Sequence, residues 1–100
     1  MDEEVQATAA RLVRRLKEGN HTITVAESCT GGLLASAFTD IAGASQWFRQ
    51  SWVTYSNDAK IKELGVTEEA LNRRGAVSAE VAIQMAQGAR KRANASIAIS

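Results

Sequence analysis

Two short segments of the sequence carry side chains that could perform nucleophilic chemistry. One reads Glu-Ser-Cys-Thr-Gly-Gly over residues 27–32, and the other reads Tyr-Ser-Asn-Asp-Ala-Lys over residues 55–60. A serine hydroxyl needs a base to take its proton before it attacks a carbonyl carbon, and a lysine can serve where burial or a cationic neighbour favours its neutral form. Ser28 and Lys60 are therefore a candidate nucleophile and base, and Tyr55 could orient the lysine or relay a proton.

The first of these segments could also bind an anion. Backbone N–H groups at the start of a helix have no partners within that helix, so they can hold a phosphate or a developing oxyanion. Gly31 and Gly32 would let a ligand approach the backbone closely. Serine, threonine and glycine are also ordinary cap and turn residues, so these side chains alone leave a purely structural role open.

Three other residues have side chains that could take part in chemistry. Glu27 could act as an acid, but an acidic residue near a helix start often caps the helix or interacts with its dipole. Cys29 adjoins Ser28, and a helix N-terminus lowers the pKa of a thiol, yet free cysteines are more often small buried residues. His21 opens a predicted strand away from both segments, which favours a structural or surface role.

The spacing of apolar residues predicts an alternation of helices and strands around these segments. β-branched and aromatic residues indicate the strands, and Ser, Thr and Gly mark the starts and ends of the helices. The predicted elements are a helix from Val5 to the stop at Gly19-Asn20, a strand over residues 21–26, a helix from Leu33 to about residues 42–43, a strand in the second half of residues 47–55, a short helix capped by Ser56 or Asn57 and ended by Gly65, a helix capped by Thr67, a longer helix capped by Ser78, and a final strand over residues 95–100.

Strands separated by helices predict a parallel sheet with helices on its faces. We therefore expect an α/β fold with three layers, α/β/α, and a largely parallel sheet. Such sheets place their sites beyond the carboxyl ends of strands, which is where both segments lie. The sequence ends on its last predicted strand, so we expect a single domain over residues 1–100 that is truncated in its C-terminal part.

Composition argues against several classes of protein. Of the 100 residues, 45% are hydrophobic and 23% are charged, and the net charge of +1 provides no basic stripe for nucleic acid. No apolar stretch is long enough to span a membrane, and the acidic start Asp2-Glu3-Glu4 does not resemble a signal peptide. No spacing of cysteine and histidine resembles a zinc site. We expect a cytoplasmic protein that holds no metal.

The large aromatic residues cluster near the middle of the chain. Trp47, Phe48 and Trp52 could stack on the ring of a ligand, but a place in the core or in a subunit contact is the more common role for such residues. A small α/β domain could also associate into a homo-oligomer through them.

Five separated segments, taken together and in order, resemble the nicotinamide-nucleotide amidase family, which is also known as the C-terminal domain of the competence/damage-inducible protein CinA. They are Thr24-Val-Ala-Glu-Ser-Cys-Thr-Gly-Gly32, Asp40-Ile-Ala-Gly43, Val53-Thr-Tyr-Ser-Asn57, Lys60 and Gly75-Ala-Val-Ser78. The resemblance extends from about residue 5 to the last residue. Because it depends on several motifs, it is more specific than any one of them.

The resemblance implies hydrolysis of an amide bond. Members of this family convert nicotinamide mononucleotide to nicotinate mononucleotide and ammonia with a serine and a lysine, and they need neither metal nor cofactor. Carried onto this sequence, the pattern makes Ser28 the nucleophile, Lys60 its base and Tyr55 a supporting group, and turn amides around Cys29 to Gly31 would stabilise the oxyanion. The substrate-binding residues that it implies are Glu27, Cys29, Thr30, Gly31 and Gly32.

The sequence also departs from the family pattern. Family members continue past the last strand with a Gly-rich segment, so we expect one wall of the pocket to be missing, with loss of activity as one consequence. The alternative function is a catalytically inactive nucleotide-binding or competence-linked interaction module, against which the joint presence of Ser28, Tyr55 and Lys60 argues. A DNA-binding protein would suit the competence name but not a nearly neutral chain.

Overall fold

A computed structural model describes residues Asp2 to Ser100, which form five α-helices and three β-strands. In chain order these are α1 (Glu3–Glu18), β1 (Ile23–Glu27), α2 (Leu33–Thr39), a 3₁₀ turn (Ala44–Gln46), β2 (Trp52–Val53), α3 (Asn57–Leu64), α4 (Glu68–Arg74), α5 (Ala79–Ala93) and β3 (Ile97–Ile99). The order of helices and strands is the one that the sequence predicts. None of the described helices is both long enough and apolar enough to cross a membrane.

Hydrogen bonds from side chains fix where most of the helices begin. The side chains that accept a bond from a backbone N–H in the following first turn are Asp2 before α1, Ser56 before α3, Thr67 before α4 and Ser78 before α5. The predicted caps Thr67 and Ser78 are therefore confirmed, and Ser56 rather than Asn57 caps α3. α2 differs, because Gly32 precedes it without a side chain, and it ends at Thr39, before the predicted residues 42–43.

The three strands form one parallel sheet in the order β2-β1-β3. β1 lies in the middle, with Ala26 and Glu27 paired to β2, and Ile23 to Val25 paired to β3. β1 is shifted from the predicted residues 21–26, because these two pairings begin at Ile23 and extend to Glu27. Glu27 is thus the last residue of the strand rather than the first residue of the turn.

Helices cover both faces of this sheet. Side chains of successive strand residues point to opposite faces, so Val25 and Ala26 belong to different clusters of buried residues. The first cluster joins β1 to α1, α2 and the aromatic residues that follow α2, and the second joins β1 to α3, α4 and α5. The predicted three-layer α/β/α fold with a parallel sheet is confirmed.

The aromatic residues after α2 belong to the core. Trp47 and Phe48 are 2% and 8% exposed, and their rings contact that of Phe38 at centroid distances of 5.7 and 5.8 Å. Core packing, the commoner of the roles considered for these two residues, is confirmed. Trp52 is partly buried and packs against the second cluster.

α3 and α5 approach each other closely at Gly88. A Cβ atom at this position would lie 1.9 Å from the carbonyl oxygen of Leu64, the last residue of α3. No side chain fits between the two helices here, so the glycine sets how closely α3 lies against α5. Lys60 is one turn earlier on α3, and its position therefore depends on this contact.

Replacing Gly88 with alanine is expected to lower the free energy of unfolding by about 1–3 kcal/mol, because α3 must move away from α5 to admit the methyl group. At an ordinary exposed helix position, replacing glycine with alanine raises the free energy of unfolding by about 1 kcal/mol. At Gly88 the change in this free energy is therefore expected to have the opposite sign. Chemical denaturation followed by circular dichroism measures the effect. Gln87→Ala, at the neighbouring exposed position, is the control, and a Gly88→Ala protein as stable as this control would contradict the close approach.

Candidate active site

The carboxyl ends of β1 and β2 lie side by side, because the two strands are adjacent and parallel. The backbone N–H of Thr54 donates to the carbonyl of Glu27 at 2.9 Å and holds the chain after β2 against the end of β1. Ser28 follows β1 directly, and Tyr55 is the second residue after β2. The two segments that were predicted to share one end of the sheet therefore meet there.

Ser28 and Lys60 are in direct contact. The Nζ atom of Lys60 lies 3.0 Å from the Oγ atom of Ser28 and donates a second hydrogen bond, at 3.2 Å, to the main-chain carbonyl of Tyr55. The lysine side chain is 1% exposed and lies near the start of α3. Hydrogen-bond distance to a lysine is the geometry that a serine nucleophile requires of its base.

The amine of Lys60 is bonded to neutral groups. Both of its hydrogen-bond partners are neutral oxygens, and no Asp or Glu of the described chain forms an ion pair with it. Buried lysines are usually paired with a carboxylate. The buried position of Lys60 is therefore not explained by a structural salt bridge.

Tyr55 contacts Lys60 through its backbone rather than through its ring. The main-chain carbonyl accepts the hydrogen bond from Nζ, whereas the side chain is 75% exposed and forms no hydrogen bond with any described residue. The sequence places Tyr55 near the lysine but cannot indicate which of its groups makes the contact. The carbonyl directs the amine of Lys60, and the phenol lies at the protein surface.

The segment of residues 28–32, here called the Ser28 turn, has a hydrogen-bonded backbone. The N–H of Gly31 donates to the carbonyl of Ser28 at 3.1 Å, and Gly31 and Gly32 have φ values of 62° and 113°, which favour glycine. The N–H groups of Cys29 and Thr30 donate to no acceptor in the described part of the chain. Of the three amides expected to face an oxyanion, two are therefore available, and that of Gly31 is already bonded within the turn.

The carboxylate of Glu27 caps the start of α2, where the residue in the capping position, Gly32, has no side chain. It is 3% exposed, and its Oε1 accepts from the hydroxyl of Thr30 at 2.7 Å and from the N–H of Leu34 at 2.8 Å. Its Oε2 accepts from the N–H of Ala35 at 3.0 Å. Burial raises the pKa of Glu27, but the hydrogen bonds from Thr30 and from three backbone amides outweigh burial and hold the pKa below its ordinary value of 4.5. Glu27 is therefore ionised at neutral pH.

The start of α2 is not open to an anionic ligand. The N–H groups of Leu34 and Ala35 have no partners within the helix, as expected, but both donate to Glu27. A Gly-Gly pair without capping side chains precedes the helix, and a carboxylate six residues before Leu33 caps it instead. Binding of an anion by this segment is left to the amides of Cys29 and Thr30.

A pocket of about 310 Å³ opens beside Ser28. Residues 26–30 form one side of it, and the turn before α5 and the first part of α5 form the other, with Val77, Ala82 and Met85. This second wall is mostly apolar, which suits the face of an aromatic ring. A larger surface groove of about 550 Å³, between the end of α3 and the last turns of α5, includes neither Ser28 nor Lys60.

Other residues considered as candidates lie at the surface. Cys29 is exposed, in contrast to the usual burial of a free cysteine, and it lines the pocket next to Ser28. His21 is exposed and precedes β1, at the end of the strand away from Ser28. Within residues 2–100, no group of three or more His, Cys, Asp or Glu side chains is arranged to hold a metal ion.

Comparison with known proteins identifies the family. Residues 5–100 match the family model of the CinA C-terminal domain. The chain belongs to the CinA C-terminal domain family. The matched region extends from α1 to the end of the chain and contains every residue of the site described above.

The chain covers only part of its relatives in this family. The nicotinamide-nucleotide amidohydrolase PncC of Escherichia coli strain K12 is 48% identical over 99 residues, which are 99% of this chain and 60% of that protein. A putative competence-damage inducible protein of Caldicellulosiruptor saccharolyticus is 55% identical over 89 residues, which are 89% of this chain and 22% of that protein. The chain thus spans 60% of the length of the first relative and less of the second.

Solved structures of CinA proteins have the same fold. The competence/damage inducible protein CihA from Agrobacterium tumefaciens superimposes with a TM-score of 0.94 at 43% identity, over 98% of this chain and 59% of that one. A CinA superfamily protein from Escherichia coli gives a TM-score of 0.92 at 36% identity, over 98% of this chain and 58% of that one. The chain therefore has the fold of this part of the CinA proteins.

The sequence predicted the polar side of the candidate site in this CinA domain but not the wall opposite it. Val77, Ala82 and Met85 line the pocket, and none of the three was among the predicted site residues. The one signal for this wall was the segment Gly75-Ala-Val-Ser78, which the family resemblance includes. No rule of composition or spacing shows that an apolar helix face also borders a pocket.

Proposed function

We propose that this chain is an amidase domain that converts nicotinamide mononucleotide to nicotinate mononucleotide and ammonia, with Ser28 as nucleophile and Lys60 as base. The observation that carries the proposal is the 3.0 Å contact between the Oγ atom of Ser28 and the Nζ atom of the buried Lys60. The substrate is inferred from the relative in Escherichia coli, which is named a nicotinamide-nucleotide amidohydrolase.

In the first half of the proposed reaction, Ser28 forms a bond to the carboxamide carbon. Its proton passes to the amine of Lys60, which the carbonyl of Tyr55 keeps directed at the serine. The carboxamide oxygen becomes an oxyanion, and the free N–H groups of Cys29 and Thr30 are the donors proposed to stabilise it. The carbon–nitrogen bond then breaks, Lys60 gives the proton to the leaving nitrogen, and ammonia departs.

In the second half, water hydrolyses the ester that joins Ser28 to the nicotinoyl group. The water oxygen bonds to the ester carbon while its proton passes to Lys60, and the same two amides stabilise the second oxyanion. The bond to Oγ then breaks, Lys60 returns the proton to Ser28, and nicotinate mononucleotide leaves. One proton moves through Lys60 in each half, so a serine and a lysine suffice for these steps.

The pocket beside Ser28 fits the part of the substrate that reacts. Its volume of about 310 Å³ lies at the small end of the range for small-molecule sites. The apolar wall with Val77, Ala82 and Met85 would contact the pyridinium ring, with the carboxamide directed at Ser28. Among the described residues that line this pocket there is no Lys or Arg, so we place the phosphate group outside it.

The proposal is tested by measuring ammonia and nicotinate mononucleotide formed from nicotinamide mononucleotide. The 100-residue chain is assayed beside a chimera in which this chain replaces the matched segment of the Escherichia coli relative, because the chain spans 60% of that protein. We expect the two products in equal amounts from the chain, the chimera or both. If both proteins bind the nucleotide and neither forms the two products, the result would contradict the proposal and support the inactive nucleotide-binding module.

A further inference from the structure

Glu27 is a buried carboxylate that is stabilised without a cation. It is 3% exposed, and no Lys, Arg or His of the described chain forms an ion pair with it. A buried charge is costly unless hydrogen bonds compensate for it. Here the compensation comes from the hydroxyl of Thr30 and from backbone N–H groups that include those of Leu34 and Ala35.

These donors lie at different points along the chain around the nucleophile. Glu27 precedes the Ser28 turn, Thr30 lies within it, and Leu34 and Ala35 lie beyond it in α2. One carboxylate therefore connects the beginning, the middle and the end of the segment, at distances of 2.7 to 3.0 Å. Ser28 and the free amides of Cys29 and Thr30 are inside the loop that these hydrogen bonds close.

We propose that Glu27 is a positioning residue, which holds the Ser28 turn on α2 and so fixes the nucleophile relative to Lys60 and to the two free amides. This inference rests on the amidase function proposed above. A direct role in holding the substrate does not fit, since both oxygens of the carboxylate already accept hydrogen bonds within the chain. Fixed geometry matters because a displacement of about 1 Å in a catalytic group can reduce the rate by roughly 100-fold.

The chemistry of the contact requires a carboxylate with the length of glutamate. Glutamine has one acceptor oxygen and an NH₂ group, and the NH₂ group would face the N–H of Ala35 with a donor instead of an acceptor. Aspartate is one methylene shorter, so its oxygens would not reach α2 from the same position in β1. Glu27→Gln thus removes part of the contact while it keeps the size of the side chain, and Glu27→Asp keeps the charge but not the reach.

The test measures kcat and KM for Glu27→Gln and Glu27→Asp in whichever of the chain and the chimera turns over. Misplacement of Ser28 is expected to lower kcat by about 10- to 100-fold and to change KM by less than about threefold, because the substrate contacts remain. Thr30→Val, which removes one donor from an exposed position, is expected to lower kcat by a smaller factor. Glu18→Gln, an exposed glutamate at the end of α1, is the matched control and should leave both constants unchanged.

Amide hydrogen exchange in the 100-residue chain tests the contact independently of activity. The N–H groups of Leu34 and Ala35 are expected to exchange at least about tenfold faster in Glu27→Gln than in the unmodified chain, whereas amides of α5 keep their rates. Unchanged exchange at these two positions, or a higher KM with the original kcat, would overturn the positioning role. If neither the chain nor the chimera turns over, the amidase proposal fails, and the exchange rates alone decide whether Glu27 fixes the turn.

Discussion

Replacing Ser28 with alanine is expected to lower kcat for release of ammonia from nicotinamide mononucleotide by roughly 10⁴- to 10⁶-fold, the range for loss of a covalent nucleophile. The variant has no oxygen to form the ester, and Lys60 loses the group that it is proposed to deprotonate. The amides of Cys29 and Thr30 and the pocket remain, so binding of the substrate should change little. Initial rates of ammonia formation and isothermal titration with the nucleotide measure the two effects separately.

The control for this prediction is Ser45→Ala. Ser45 is an exposed serine in the 3₁₀ turn, in a part of the chain that borders neither Ser28 nor the pocket beside it. Its replacement should leave kcat and KM at the values of the unmodified protein. Retention of more than about a tenth of the original kcat by Ser28→Ala would show that another group attacks the carboxamide, and the exposed neighbour Cys29 would be the next candidate.

Local chemistry explains why the elements of this fold could be predicted from the sequence. Ser56, Thr67 and Ser78 cap helices through bonds to N–H groups three residues ahead, so the residues involved are visible in a short stretch of sequence. The β-branched residues that precede Ser28 similarly favour a strand without reference to the rest of the chain. The fold class then follows from the alternation of these elements.

The contacts that decide the details of the site are not local in this sense. From the sequence alone, Gly88 is a residue that destabilises the interior of a helix. Only the packing of α3 against α5 shows that the carbonyl of Leu64 leaves no room for a side chain at this position. Tyr55 was predicted to orient Lys60 or relay a proton, but only the path of the chain into α3 shows that its carbonyl makes the contact. Glu27 caps a helix that begins six residues later, which lies outside the usual spacing of a capping residue.

The pairing of Ser28 with Lys60 could be predicted from the sequence in part, and in part depends on how the helices pack. The residues are 32 positions apart, so no periodicity relates them. Parallel strands place both residues at one end of the sheet, which the sequence could predict, but the distance of 3.0 Å depends on how α3 starts after β2. The residue types made the pair a candidate and the family resemblance assigned the two roles, whereas the close packing of α3 on α5 at Gly88 is one of the non-local contacts that position Lys60.

Replacing Lys60 with methionine is expected to lower kcat by roughly 10²- to 10⁴-fold, the usual contribution of a general base, while the fold persists. Methionine has a similar length and no polar amine to bury, and this gain offsets the loss of the hydrogen bond to the carbonyl of Tyr55. We therefore expect the free energy of unfolding to change by no more than about 1–2 kcal/mol. Assays of ammonia release and chemical denaturation of the same samples measure the two quantities together.

Two further variants separate the loss of a base from other causes. Lys62→Met changes an exposed lysine on the same helix and should alter neither kcat nor stability. Lys60→Ala leaves space for a small primary amine, and added methylamine is expected to restore part of the rate in proportion to the concentration of its neutral form, because the neutral form is the base. A rate that does not respond to the amine, in a Lys60→Ala protein with unchanged nucleotide affinity, would argue that Lys60 orients Ser28 without accepting its proton. The same experiment in Ser28→Ala should show no rescue, since the amine would then have no hydroxyl to deprotonate.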